Sequence, residues 1–245
     1  MTTELDYLIV LYTVIKKYDK EYADFIYNRA ILLNTEYTEQ EKKQILTPYE
    51  KKNYIYYDEL LNKFDNLLEI YNKNPTKQNI IKLVLLGLYV LQPPIRNNYN
   101  DIEIINDTKD IKDGYNYIFD MSKIGGINGY ILIIDNDKVS KNTPQLRTTI
   151  ENNILTNILN VYIDIYCKNN IYLFENTDGT SYTKRQINYI IKSYFKDRIL
   201  TIHNLRSTYI SQYYKQYHSI IKREKLAKNM RHTRQTAELI YYKID

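Results

Sequence analysis

Tryptophan is absent from this 245-residue chain, and the sequence has one cysteine, three histidines, five prolines and six glycines. A lone cysteine, Cys167, excludes an internal disulfide and any zinc site built on cysteine pairs. Its apolar, helix-like context from Val161 to Tyr166 suits a buried structural thiol. No Gly-x-x-x-x-Gly-Lys run is present to cradle a nucleotide phosphate, and no His/Cys cluster has zinc-ligand spacing. Long apolar runs are missing too. The longest, Leu83 to Leu91, falls far short of the ~20 residues that a membrane span needs. The first residues carry Glu4 and Asp6 where a secretion signal would be basic. These absences lead to the expectation of a soluble protein inside a cell or virion, working without a metal or cofactor.

What is present is a chain able to bury a core, with 44% hydrophobic residues, and modestly basic, at +5. Lysines and arginines gather late, at Lys184-Arg185, from Lys222-Arg223 to Lys228, and from Arg231 to Arg234. A positive balance favours an anionic partner through counterion release. Tyrosine is very frequent (28), together with Asn, Ile and Lys. All have A/T-rich codons, so being a tyrosine carries little weight here and position must carry it instead.

Periodicity divides the chain. Apolar residues recur at three- and four-residue steps from Leu5 to about Leu33, which predicts one helix. The polar stretch Asn34 to Lys43, ending near Thr47-Pro48, reads as a linker. Helices are expected over Tyr56–Asn72 and Gln78–Gln92, the second closed by Pro93-Pro94. The β-prone runs Tyr115–Phe119 and Tyr130–Ile134 flank Gly125-Gly126 and Gly129 and predict neighbouring antiparallel strands, with a third at Gln145–Ile150. Helices follow over Glu151–Cys167, from a Thr183 cap to about Phe195, from His203 to about Tyr217, and from Arg223. The expectation is an α+β fold, mainly helical, with a small three-stranded antiparallel sheet: a helical segment over 1–47 and a larger domain over 48–245.

The chemistry-bearing residues lie mostly in the last quarter. His203-Asn204-Leu205-Arg206 precedes Met230-Arg231-His232, and Tyr241 stands nine residues beyond His232. With three histidines and 28 tyrosines, a His–Tyr pair at that spacing arises about 0.3 times by chance, so the spacing alone decides nothing. The weight lies in conjunction and order: an arginine (Arg96) after an early helix, a lysine near the β-hairpin, then His-x-x-Arg, then His and Tyr.

In that order the chain resembles the tyrosine recombinases of the phage-integrase type. Its flavour is closest to the integrase-like enzymes of large DNA viruses, virophages and eukaryotic mobile elements, some of which share the Pro-Pro-x-Arg form of Pro93-Pro94-Ile95-Arg96. His203-Asn204-Leu205-Arg206-Ser207-Thr208-Tyr209 matches the family's second box, whose i, i+3 spacing sets imidazole and guanidinium on one helix face. The chain departs from the usual pattern at Pro94 and Tyr99, where glycine and glutamate are common, and at Arg231, where glycine is commonest.

The resemblance implies catalytic roles for Arg96, Lys138, His203, Arg206, His232 and Tyr241. Tyr242 is the alternative nucleophile, and Lys141 or Lys123 the alternative acid. It implies double-stranded DNA as partner and a homo-oligomer, tetrameric in the synaptic complex. It further implies cleavage and rejoining through a 3′-phosphotyrosine, with neither metal nor ATP. A type IB topoisomerase, or a catalytically inactive DNA-binding protein on this fold, would share most of these residues.

Overall fold

The computed structural model describes residues 2–124, 126–139 and 143–244. The chain falls into two compact units, one running to Leu46 and including Ile244, the other Thr47–Lys243.

The first unit is a helical hairpin of α1 (Thr2–Ile15) and α2 (Lys20–Lys42). The apolar pattern from Leu5 to Leu33 thus belongs to two helices. The break carries neither Gly nor Pro; Asp19 makes it, its carboxylate accepting the Tyr22 N–H at 2.9 Å as a helix cap does. Of the stretch Asn34–Lys43, expected as a linker, all but Lys43 belongs to the last turns of α2. Its threonine hydroxyls bond back to the carbonyls four residues earlier, Thr35 to Ile31 and Thr38 to Asn34, which satisfies them without leaving the helix. Ala23, Ile26, Ala30 and Leu33 form its buried stripe, while Tyr7, Val10, Val14, Phe25 and Leu32 remain exposed. Ile45 pairs with Ile244 in a parallel bridge.

The second unit starts with α3 (Pro48–Asn53), where Thr47 and Glu50 form a capping box and proline fills the first turn. Helices α4 (Tyr57–Lys73) and α5 (Lys77–Val90) pack as an antiparallel pair. Every residue from Leu83 to Val90 is buried, so the apolar run found in the sequence is a core helix. Gly87 allows the close approach. A β-carbon there would lie 3.0 Å from Leu155 and 3.2 Å from Phe64, the contacts of a later helix, α6 (Asn153–Tyr166), and of α4 on α5.

Four strands follow: β1 (Ile102–Ile105), β2 (Asn116–Asp120), β3 (Tyr130–Ile134) and β4 (Leu146–Thr149), adjacent in that order. The three expected strands pair antiparallel, Ile118 opposite Leu132 and Leu132 opposite Thr148. The sheet has four strands where three were expected. The addition, β1, runs parallel to β2 with Ile102 opposite Asn116. It is four residues long, and its other edge is held by backbone bonds between Ile104 and Ile171 and between Ile102 and Leu173, partners that only the fold supplies. Alternation along the strands splits the side chains. Ile118, Leu132 and Ile134 join the main core with α4–α6, while Tyr117, Phe119 and Ile133 form a second cluster with Ile105.

The remainder is helical: α6 (Asn153–Tyr166), α7 (Lys184–Lys192), α8 (Ile202–Gln216), α9 (Ile220–Asn229) and the short α10 (Arg234–Thr236), which runs into a π-turn over Ala237–Tyr241. Thr183 caps α7 as expected. A separate small core gathers Ile210, Tyr214, Leu226, Ala227, Met230, Ala237 and Tyr241, so the last tyrosines are seated by packing. Among the described residues no helix is long and apolar enough to cross a membrane.

Candidate active site

Helix α8 is the axis of the site. Thr201 and Asn204 form its capping box, which gives the Asn of His203-Asn204-Leu205-Arg206 a purely local task. One turn in, the Arg206 side chain is 1% exposed. Its Nη1 donates to the Pro94 carbonyl at 2.6 Å and its Nη2 to the Met230 carbonyl at 3.0 Å. A single guanidinium thereby ties the loop after α5 to the end of α9. Burial lowers its pKa from the ordinary arginine value, and the nearby Tyr241 oxygen opposes this by favouring the cation.

The Arg96 loop has its own anchor. The fully buried Tyr99, standing where the family's glutamate is common, receives the Ile95 N–H at 3.4 Å and the Gln92 amide at 3.3 Å. Its hydroxyl donates to the Leu88 carbonyl at 3.0 Å. Burial pushes this phenol up to about 12, which suits a structural hydroxyl. Tyr99 therefore closes the end of α5 and holds the Pro-Pro-Ile-Arg turn.

Tyr241 is 8% exposed and lies between two imidazoles, its ring centroid 5.0 Å from that of His203 and 5.3 Å from that of His232. The Arg206 guanidinium sits 5.0 Å over the same ring. Backbone contacts fix the turn: the Ser207 hydroxyl donates to the Tyr241 carbonyl, and the Tyr242 N–H closes the π-turn on Ala237 at 2.8 Å. Tyr242 points elsewhere, packing on Tyr214 at 5.2 Å.

His232 has its Nδ1 3.1 Å from the Thr233 carbonyl, so the neutral ring carries its proton there. Burial, with the Arg206 and Arg96 charges, lowers its pKa to about 4. His203 keeps one edge in solvent. Crowding of the rest still lowers its pKa, with the Lys243 charge adding to the effect. Glu50, which pairs with Lys243 at 3.2 Å, opposes it.

Arg96 Nε, Arg206 Nε and His232 Nε2 are buried and have no hydrogen-bond partner. Buried polar atoms are nearly always bonded, and these three belong to neighbouring side chains, since the Arg96 and Arg206 charges both act on His232. Arg96 borders two recesses. One of about 290 Å³ is shared with Asn97, Lys138 and Lys184. The other, about 860 Å³, also takes in His232, Lys225, Lys228 and Arg234.

Five of the six sequence-predicted residues thus converge: Arg96, His203, Arg206, His232 and Tyr241. Lys138 is exposed on the turn after β3 and lines the smaller recess together with Arg96. Lys141 and the Lys123 side chain lie outside the described residues. Lys184, noted in the sequence only as part of a basic cluster, lines the same recess as Lys138. Among the described residues no group of three His, Cys, Asp or Glu side chains could hold a metal ion.

Two solved structures share this architecture. XerA recombinase superposes with a TM-score of 0.50 at 14% identity, over 75% of this chain and 57% of that one. XerH site-specific recombinase, bound to its palindromic difH substrate in a post-cleavage complex, gives 0.50 at 17%, over 78% and 49%. The fold is that of a tyrosine-recombinase catalytic domain. No family model matches the sequence, and no curated protein does. The chain spans about half the length of these recombinases.

Proposed function

We propose that this protein is a site-specific DNA recombinase that breaks and rejoins double-stranded DNA through a covalent 3′-phosphotyrosine on Tyr241. The carrying observation is the gathering of His203, Arg206 and His232 on that tyrosine, with Arg96 close enough for its charge to act on His232. A phosphodiester gains negative charge on its non-bridging oxygens as it becomes a phosphorane. Guanidinium groups already in place stabilise that charge without reorganisation. As charge builds, it also favours protonation of His232, which turns Nε2 from an acceptor into a donor.

In the forward step the Tyr241 oxygen bonds to phosphorus and the P–O5′ bond breaks. The phenolic proton leaves with the assistance of His203, and the Lys138 ammonium gives a proton to the departing 5′-oxygen. The new phosphotyrosine ester keeps the energy of the bond it replaces, so rejoining by a 5′-hydroxyl needs no ATP. Exchange between two sites requires several active sites at once, hence a homo-oligomer, tetrameric in the synapse. Integration or excision of a viral or mobile element is the setting that the Pro-Pro-x-Arg form suggests.

The test is a nicked suicide duplex scored for a covalent protein–DNA adduct. Tyr241→Phe should abolish the adduct and leave DNA binding intact. If adduct persists in Tyr241→Phe and vanishes in Tyr242→Phe, the nucleophile is the neighbour. Supercoil relaxation without exchange between defined sites would show a topoisomerase instead.

A further inference from the structure

Arg231 is one of two described non-glycine residues with a positive φ, at 59°. In that left-handed region a side chain is unfavourable and glycine is at ease, which explains why glycine is the commoner residue before the motif histidine. An arginine retained there needs a compensating contact, and it has one. Its Nε donates to Asp137 Oδ2 at 2.9 Å and its Nη2 to Asp137 Oδ1 at 3.0 Å, in the forked geometry. Its Nη1 also donates to the Pro144 carbonyl. Both side chains of the ion pair are nearly inaccessible, at 5% and 2% exposure.

Asp137 and Pro144 stand at the two ends of the β3–β4 connection, and Lys138 follows Asp137 directly. One residue earlier, the Asn136 carbonyl accepts from Asn98 at 2.8 Å, on the Arg96 loop, and from Asn116 at 3.0 Å. The root of the hairpin is therefore bonded to the Arg96 loop and to the turn that precedes His232. We propose that Arg231 and Asp137 are positioning residues: the buried fork clamps both ends of the hairpin to the His232 turn, so that Lys138 extends over the scissile phosphate from a fixed base. This rests on the recombinase reading.

The deciding variant is Arg231→Gly, which suits the backbone and so keeps the turn while releasing the clamp. On duplexes selected by adduct formation with the unmodified protein, it should cleave an ordinary phosphodiester about 10- to 100-fold more slowly, part of the ~10²–10⁴-fold that a general acid supplies. A 5′-bridging sulfur leaves without a proton, so this substrate should return the variant to near the parent rate. In a Lys138→Ala background Arg231→Gly should cost nothing more. Amide exchange over residues 137–139 and 143–145 should quicken in Arg231→Gly. An unchanged rate on the ordinary substrate, or equal losses on both substrates, overturns the proposal. If the parent protein forms no adduct on any duplex, the recombinase reading fails instead. Exchange then still decides the clamp, and unaltered protection sinks it.

Discussion

The two sides of the candidate phosphate site are built in opposite ways. On the arginine side, Arg206 is buried on a long helix and bolted to Pro94 and Met230, and the Arg96 turn is closed by a buried Tyr99 hydroxyl. On the lysine side, Lys138 is exposed on a turn, one residue beyond the buried Asp137–Arg231 ion pair. Groups that stabilise charge gain from rigidity, because any reorganisation is paid at the moment of reaction. For the proton donor proposed above, an exposed side chain on an anchored base can follow the leaving oxygen as it moves.

The comparison can be broken by exchanging chemistry between the two sides. The largest effect is expected for Lys138→Ala, a loss of ~10²–10⁴-fold on ordinary DNA that a 5′-bridging sulfur should largely restore. Lys138→Arg should behave similarly, since a guanidinium keeps the charge yet does not release its proton. On the rigid side Arg206→Lys should lose ~10²–10³-fold, with no rescue by sulfur, because the forked donors are gone. Equal rescue of Lys138→Ala and Arg206→Lys would erase the distinction and reopen the identity of the acid.

A smaller effect concerns pH. The folded pKa of His232, about 4, lies below the ordinary histidine value of 6.5. Between those values the unfolded chain binds a proton that the folded chain refuses, so stability falls as pH drops through this window. The full difference is at most about 3 kcal/mol. Denaturant titrations at pH 7 and pH 4.5 should show it, and His232→Phe should flatten the dependence. Burial lowers the His203 value in the same direction, so part of the slope will remain. The smallest change is Thr201→Ala, which removes the cap of α8 and should cost ~1 kcal/mol by the same titration. It should affect cleavage less than either exchange above.

Much of this was legible in the chain. Strands β2–β4, the Thr183 cap and the helix carrying His203 and Arg206 follow from patterns within a dozen residues, where period and turn chemistry act directly. The errors also have local causes. The α1–α2 break was hidden because Asp19, an ordinary charged residue, makes it without Gly or Pro. The end of α2 was taken for a linker because polar composition resembles a loop when no buried partner is in view. Strand β1 escaped notice because four residues carry little periodicity, and its partners lie at positions 116–119 and 171–173.

Local patterning by itself determined the antiparallel strands and most helices of the larger unit, since each depends on short-range rules, and the order of a few residues carried the resemblance that named the side chains suited to phosphate chemistry. Tertiary structure alone decided what those side chains do together. It brought Arg206 to the Pro94 carbonyl across 112 positions and Arg231 to Asp137 across 94. It also turned Tyr241, rather than Tyr242, in between the histidines. Contacts that distant depend on how whole elements pack, and no local propensity encodes them. For Arg231 the strain at its own backbone became intelligible only once the buried carboxylate opposite was known.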